Sequence, residues 1–437
     1  MATIQQRYCV AEERSGHCAA MHDNYLYVWG GYVTIEENEV YLPNDEIWIY
    51  DIDSGLWRMH LTDGDLPPSM SGSCGACLNG KFYVFGGYDD KGYSNQLFCL
   101  DLHSKSGQYT WKHINNFKGQ SPTARDKLSC WVYDDRLIYF GGYGCRKHSE
   151  LNDCFDVHDA SWEGQIFWGW NNDIHVFDTK TQTWFQPFVK NSPPQARAAH
   201  SCALLDNKGY VFGGRVLQTR MNDLHFLDLD TWTWSGGIRI NGKIPSGRSW
   251  HTLTPVGDDQ LFLFGGLSEE SEPLSDGWIY SIKTNEWEQL QHLPKNRPRL
   301  WHTACPGKEN EVMVFGGSKD DLLSLDTVVP RCCREIFFCA RKTSVLLTHK
   351  TPSASIKENN LLGCNQIQKT KKESFKVNNN RTCLGRRNVL FHLHLRSFKE
   401  SPVKNGFESF GLLITCRIVT LANNNLNIYS MDVVSTP

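Results

Sequence analysis

Arg215, Arg220 and Lys127 are the side chains of this 437-residue chain that call for an anion. Two guanidiniums stand in the short segment Arg215-Val-Leu-Gln-Thr-Arg220. Each offers the planar donor fork that a carboxylate accepts, and Ser249 can add a hydroxyl donor. Tyr143, Trp250 and Trp301 supply aromatic walls for whatever group carries the anion. The cluster is informative because its surroundings are acidic. Residues 1–327 hold 28 Lys and Arg against 42 Asp and Glu, a formal charge of −14. Cations gathered on such a background read as a recess for an anion, not as a solubilising face. The competing reading pairs Arg215 and Arg220 with an acidic loop neighbour such as Asp223.

A repeat brings these residues together. Six segments share an apolar run, an aromatic and Gly-Gly: Tyr27-Val-Trp-Gly-Gly31, Tyr83-Val-Phe-Gly-Gly87, Ile138-Tyr-Phe-Gly-Gly142, Tyr210-Val-Phe-Gly-Gly214, Phe262-Leu-Phe-Gly-Gly266 and Val312-Met-Val-Phe-Gly-Gly317. The second glycines are spaced by 56, 55, 72, 52 and 51 residues, the signature of an array. Ahead of most lies Arg-x-x-His (Arg14…His17, Arg197…His200, Arg248…His251, Arg299…His302), with Met70-Ser-Gly-Ser73 and Arg125-Asp-Lys-Leu128 as looser forms. Asn-Asp-apolar segments follow, and then a tryptophan: Trp57, Trp111, Trp184, Trp234 or Trp287. Short β-branched and aromatic runs alternate with Gly, Pro, Asn and Asp turns, so the units are sheets. The strand ending in Gly-Gly is antiparallel to the one following Arg-x-x-His. The residue after Gly-Gly and the two after the Arg therefore fall at one end of each unit, near a common axis. That rule gathers Lys127, Tyr143, Arg215, Ser249, Trp250 and Trp301, with Arg220 on the Arg215 loop.

These landmarks resemble the kelch repeat over roughly residues 10 to 327. The resemblance implies an all-β fold, a six-bladed kelch β-propeller over residues 1–327. Its last blade is expected to be incomplete, because six Gly-Gly marks have only five trailing tryptophans. Phe140-Gly-Gly-Tyr-Gly144, Gly169-Trp170, Arg220-Met-Asn-Asp-Leu-His225, Gly247-Arg-Ser-Trp-His251 and Pro298-Arg-Leu-Trp-His302 are similar to the small kelch domain-containing subfamily. Its members serve as substrate receptors of cullin-RING ubiquitin ligases and bind the extreme C-terminus of proteins ending in glycine. The resemblance implies that Arg215, Arg220 and Ser249 clamp the terminal carboxylate, while Lys127, Tyr143, Trp170 and Trp250 contact the last peptide residues. The role of Trp170 comes from the resemblance alone. Elongin B/C and a cullin are implied as partners, through an elongin-binding box and a helical segment after the sixth blade. Here the likeness stops near Thr327. Leu412…Cys416 has the first spacing of the box, but Thr420 stands where an aliphatic residue is required. The chain is expected to capture clients without assembling a ligase.

Residues 328–437 have a different composition, with 17 Lys and Arg against 6 Asp and Glu, no tryptophan and four of the 36 glycines. A divergent basic tail, largely disordered and solvated, is expected there. No apolar leader or eighteen-residue apolar stretch exists, so a cytoplasmic location is expected, with neither membrane nor nucleic acid as partner. The cysteines are scattered along strand-like runs and read as reduced thiols, and Cys74-Gly-Ala-Cys77 lacks the second pair a zinc knuckle needs. His17, His200, His251 and His302 recur once per unit, so they read as structural. No metal, cofactor or catalysis is expected. Two rival classes stand beside the receptor. A sialidase-like propeller also holds a carboxylate with arginines, but the Ser-x-Asp-x-Gly-x-Thr-Trp box does not recur. A non-catalytic scaffold of the actin-binding kind needs no cationic pocket.

Overall fold

The computed structural model describes residues 10–35, 38–103 and 107–318, and beyond them the strands Asp326–Val328, Cys383–Leu384, Arg387–Lys399, Phe410–Ala422 and Asn425–Ser435. Two compact units result, Met1–His349 and Lys350–Pro437. The first is a six-bladed β-propeller. Its inner strands are Cys18–His22, Cys74–Leu78, Ser129–Tyr133, Ser201–Leu205, Thr252–Val256 and Thr303–Pro306. Each pairs with a second, antiparallel strand that carries the aromatic before Gly-Gly. Blades one to five have four strands, whereas the described part of the sixth has three: Thr303–Pro306, Val312–Phe315 and Asp326–Val328.

The tryptophan landmark proves to be an inter-blade wedge. Trp57, Trp111, Trp184, Trp234 and Trp287 pack on Phe315, Trp29, Phe85, Phe140 and Phe212 at centroid distances of 5.1, 5.5, 5.4, 5.3 and 5.3 Å. Each partner is the aromatic before Gly-Gly in the preceding blade, and Trp57 on Phe315 joins blade one to blade six. The sixth such contact has no tryptophan, since none follows Trp301. Phe264 keeps only the edge-on contact with the histidine of the next blade, His302 at 5.5 Å, which Phe315, Phe140 and Phe212 also make with His17, His200 and His251.

A second circle closes around the axis. Gly72 donates its N–H to Gly16, Lys127 to Gly72, Ala199 to Lys127, Trp250 to Ala199, Trp301 to Trp250 and Gly16 to Trp301, over 2.8–3.2 Å. All six residues have positive φ, between 52° and 69°. Four of them carry side chains, and the closed ring of hydrogen bonds offsets the strain of that conformation. The Arg-x-x-His element is structural. Arg125, Arg197, Arg248 and Arg299 donate to Gly141, Gly213, Gly265 and Gly316 carbonyls of their own blades over 2.8–3.1 Å. The histidines reach neighbouring blades: His17 to Thr303 at 2.7 Å, His200 to Ser129 at 2.7 Å and His302 to Thr252 at 3.0 Å. Burial lowers the basicity of all three and keeps them neutral.

The Gly-Gly element has the same close fit. Gly214 sits at φ +94°, and a Cβ there would stand 2.6 Å from the His200 Cβ and 2.9 Å from the Ala198 carbonyl oxygen. Gly214→Ala is therefore expected to lower the unfolding free energy by about 1–3 kcal/mol, read as a lower urea midpoint. An unchanged midpoint would refute the packing account.

The second unit contains an antiparallel sheet in the order Cys383–Leu384, Arg387–Lys399, Phe410–Ala422, Asn425–Ser435. The expectation of low order after residue 327 falls mostly outside the described residues. Within the strands, Phe391-His-Leu-His-Leu395 alternates with the two-residue period of a strand. Among the described residues no helix is long and apolar enough to cross a membrane.

Candidate functional site

The positional rule drawn from the repeat is met in all six blades. Ser15 bridges Tyr32, Ser71 bridges Tyr88, Asp126 pairs with Tyr143, Ala198 bridges Arg215, Ser249 pairs with Leu267 and Leu300 bridges Ser318, all antiparallel. These short pairings extend each blade at one end of the axis. In blade four the extension is a continuous hairpin of Lys208–Val216 and Thr219–Asp228. Its register sets Arg215 directly opposite Arg220.

Two guanidiniums facing each other across a hairpin repel, and the arrangement persists because each is held by neutral groups. Arg215 donates to the Leu217 carbonyl at 2.9 Å and to Gln218 Oε1 at 3.1 Å. Arg220 donates from Nε to the Ser249 hydroxyl at 3.0 Å. Glu269 lies near, but its carboxylate accepts the Arg220 backbone N–H at 2.9 Å. Burial and the Arg215 charge lower the Arg220 pKa, which Glu269 partly offsets. Among the described residues, neither guanidinium forms an ion pair with a carboxylate. Asp223, the alternative partner, is taken by Arg197 at 2.8 Å and by His225 at 2.7 Å.

The other predicted residues follow in a chain of contacts. Ser249 is fully buried, and its neighbour Trp250 stacks on Trp301 with centroids 5.6 Å apart. The Lys127 ammonium lies 5.3 Å from the Trp301 ring centroid and pairs with the buried carboxylate of Asp126. Burial raises the Asp126 pKa, which Lys127 offsets in part, and Asp126 Oδ1 has no hydrogen-bond partner. Tyr143 packs edge-on to Trp170 at 5.2 Å, and its hydroxyl lies 2.9 Å from His158 Nδ1. Trp170 is buried against Ala196 and Ala198 of blade four. Arg215 is near enough to lower the Tyr143 pKa, against larger upward effects of burial, Asp159 and Asp126.

Lys127, Trp250 and Trp301 also line a cavity of about 140 Å³ along the axis, with His17, His200, His251 and His302. Arg215, Arg220, Ser249, Tyr143 and Trp170 are not among its lining residues. A larger groove of about 630 Å³ lies at the outer edge of blade five around Lys243 and Trp278, away from this chemistry. Glu269, Gln218, Asp126 and His158 were not singled out as site residues from sequence. The acidic run Ser268-Glu-Glu-Ser271, after the fifth Gly-Gly, was the available signal for Glu269. Among the described residues, no three His, Cys, Asp or Glu side chains are grouped to hold a metal.

Comparison with known proteins shows the family of the repeat region. The model of the KLHDC2/KLHL20/DRC7 kelch-repeats domain matches residues 16–169 and 168–317. A second model, the β-propeller of tRNA wybutosine-synthesizing protein 4, matches residues 245–415. Kelch domain-containing protein 1 of Homo sapiens is 75% identical over 323 residues, covering 74% of this chain and 80% of that protein. Its Mus musculus counterpart is 73% identical over the same length and shares. Kelch domain-containing protein 2 of Homo sapiens is 46% identical over 315 residues, 71% of this chain and 77% of that protein. None of these three relatives is named for a catalytic activity.

Proposed function

The chain belongs to the KLHDC2/KLHL20/DRC7 kelch-repeat family, and from that premise we propose that it is a non-catalytic receptor for the C-termini of client proteins, selecting those that end in glycine. One observation carries the reading. Arg215 and Arg220 face each other beside the buried Ser249 hydroxyl, with no carboxylate of the described residues paired to either guanidinium. A ligand carboxylate would relieve that repulsion and accept from both forks and the hydroxyl. Trp250, Tyr143 and Trp170 would crowd any last side chain, which favours glycine.

Isothermal titration with a Gly-ending peptide and its C-terminally amidated twin tests the proposal. The free acid is expected to bind and the amide is not. Equal binding of both would favour a flat-faced scaffold.

Ligase assembly is a separate matter. The proposed receptor is cytoplasmic and captures clients without elongin B/C or a cullin, because the box expected after the sixth blade has no counterpart in residues 328–437. Immunoprecipitation of the full chain is expected to recover no stoichiometric elongin. Recovery of elongin at one copy per chain would overturn this part and leave the pocket untouched.

A further inference from the structure

The third repeat is the longest, and its extra residues build a second sheet at the site. The strands Arg125–Asp126, Tyr143–Lys147, Ile166–Asn171 and Phe155–Ala160 pair in that order from the axis outward. Register assigns the side chains to faces. Tyr143 opposes Trp170, Cys145 opposes Trp168 and Lys147 opposes Ile166. On the outer strand Asp156 opposes Trp170 and Asp159 opposes Trp168, with a bulge between Val157 and Asp159. Side chains two apart share a face. Gly144, Arg146 and Gly169 therefore make the inward face, and all three are buried. Arg146 is held there by Asp173 and Asn171.

The opposite face starts at Tyr143 and Trp170, within the candidate site, and climbs away from it. Trp168 is half-buried, while Ile166, Asp156 and Asp159 are exposed. At the tip of the hairpin Trp162 is fully exposed, beside Glu163. The wall is therefore apolar along its middle, and its outer strand carries Asp156 and Asp159 with His158 between them, packed on Trp170 and Tyr143; Lys147 is the lysine of its inner strand. The floor beside it carries Arg215, Arg220 and Lys127. Asp159 and Arg215 both act on the Tyr143 phenol, in opposite directions, so the two signs of charge meet there.

Resting on the receptor reading above, we propose that this wall of blade three holds the peptide residues upstream of the glycine end and that Asp156 and Asp159 select a cationic side chain there. The occupant follows from charge complementarity and from continuity with the terminal clamp. A chain with a carboxylate at its end and a positive charge a few residues earlier matches a positive floor joined to a negative wall. The spacing sets the position. Same-face rows of a strand are about 7 Å apart, and an extended peptide rises about 3.3 Å per residue. With the last residue beside Tyr143 and Trp170, the Trp168–Asp159 row stands about two residues upstream. The preferred cations are the third and fourth residues from the end.

Fluorescence anisotropy with three Gly-ending peptides tests this. They share the last two residues and carry two Arg, two Glu or two Ser at the third and fourth places from the end. The Arg peptide is expected to bind about three- to tenfold tighter than the Glu peptide, with the difference shrinking in high salt. The double variant Asp156→Lys, Asp159→Lys is expected to erase or reverse that preference and to leave the Ser peptide within about twofold. Moving the Arg pair to the eighth and ninth places should remove its advantage. The inference fails if the double variant keeps the wild-type preference, if wild type shows none, or if the distant Arg pair serves equally well. Each of those results leaves the terminal clamp standing, whereas wild-type protein that binds no Gly-ending peptide removes the receptor reading and this one with it.

Discussion

Arg220→Ala is expected to weaken binding of a Gly-ending peptide by about thirty- to a thousandfold, and Arg215→Ala by a similar factor. Each charged hydrogen bond to a partly desolvated carboxylate is worth roughly 1.5–3 kcal/mol, and a guanidinium fork can make two. A loss of about 2–4 kcal/mol corresponds to that range of affinity. Arg220 has a second role, since its Nε donates to Ser249 at 3.0 Å and so fixes the hydroxyl of the proposed clamp. Arg→Lys should restore only part of the loss, because an ammonium lacks the planar fork. Ser249→Ala should cost about 1 kcal/mol. Stability should move differently from affinity. Arg215 and Arg220 are opposed across a hairpin, so removing either relieves a repulsion in the free protein. The two measurements, isothermal titration and urea denaturation, thus separate a binding residue from a structural one. An arginine variant that binds as wild type does, or that loses binding only in step with stability, would exclude the carboxylate clamp.

The propeller was legible because its landmarks are demanded once per blade. In Gly-Gly a Cβ on the first glycine would meet the Arg-x-x-His segment of the next blade and one on the second that of its own blade, and the trailing tryptophan marks the wedge between blades. Six of the first and five of the second already described a ring with one contact missing. The axial circle of hydrogen bonds was not legible in the same way. Gly16 and Gly72 advertise positive φ, but Lys127, Ala199, Trp250 and Trp301 adopt it as well, and nothing in those residue types says so. Their conformation is imposed by closure of the ring, a tertiary effect. The candidate site was legible as positions and not as pairings. Sequence placed Asp126 and Lys127 side by side, yet only the fold shows that the carboxylate is buried and holds the ammonium near Trp301. Asp223, offered from sequence as the partner of Arg215 and Arg220, faces Arg197, just as Arg125 and Arg248 pair with Asp173 and Asp276 of their own blades.

Asp173 shows how that element and the site depend on each other, and it should be the costliest single residue to remove from blade three. Its carboxylate accepts from Arg125 at 2.6 Å, from Arg146 at 2.8 Å and from His175 at 3.1 Å, all of them buried. Arg125 belongs to the strand nearest the axis, and Arg146 to the strand that begins with Tyr143. One carboxylate therefore ties the blade to the sheet that carries Tyr143 and Trp170. Asp173→Ala would leave two buried guanidiniums without their counter-charge, so a loss of about 3–5 kcal/mol in unfolding free energy is expected. Burial alone would raise the Asp173 pKa, but Arg125 and His175 outweigh it and hold the carboxyl well below the usual carboxylate range. A depressed folded value means the stabilisation is fully present above the unfolded pKa of about 3.9 and is lost as pH falls through the folded value. Wild-type protein should thus lose this contribution progressively as pH falls below about 4, and Asp173→Asn, which keeps the shape and removes the charge, should show a shallower decline there. Peptide affinity should fall in both variants, because the wall bearing Tyr143 and Trp170 loses its anchor. Urea midpoints measured at pH 7 and at pH 3, with anisotropy at pH 7, decide the matter. An Asp173→Ala protein as stable as wild type would mean that the two arginines find other partners and that the sheet is held by its backbone pairing alone.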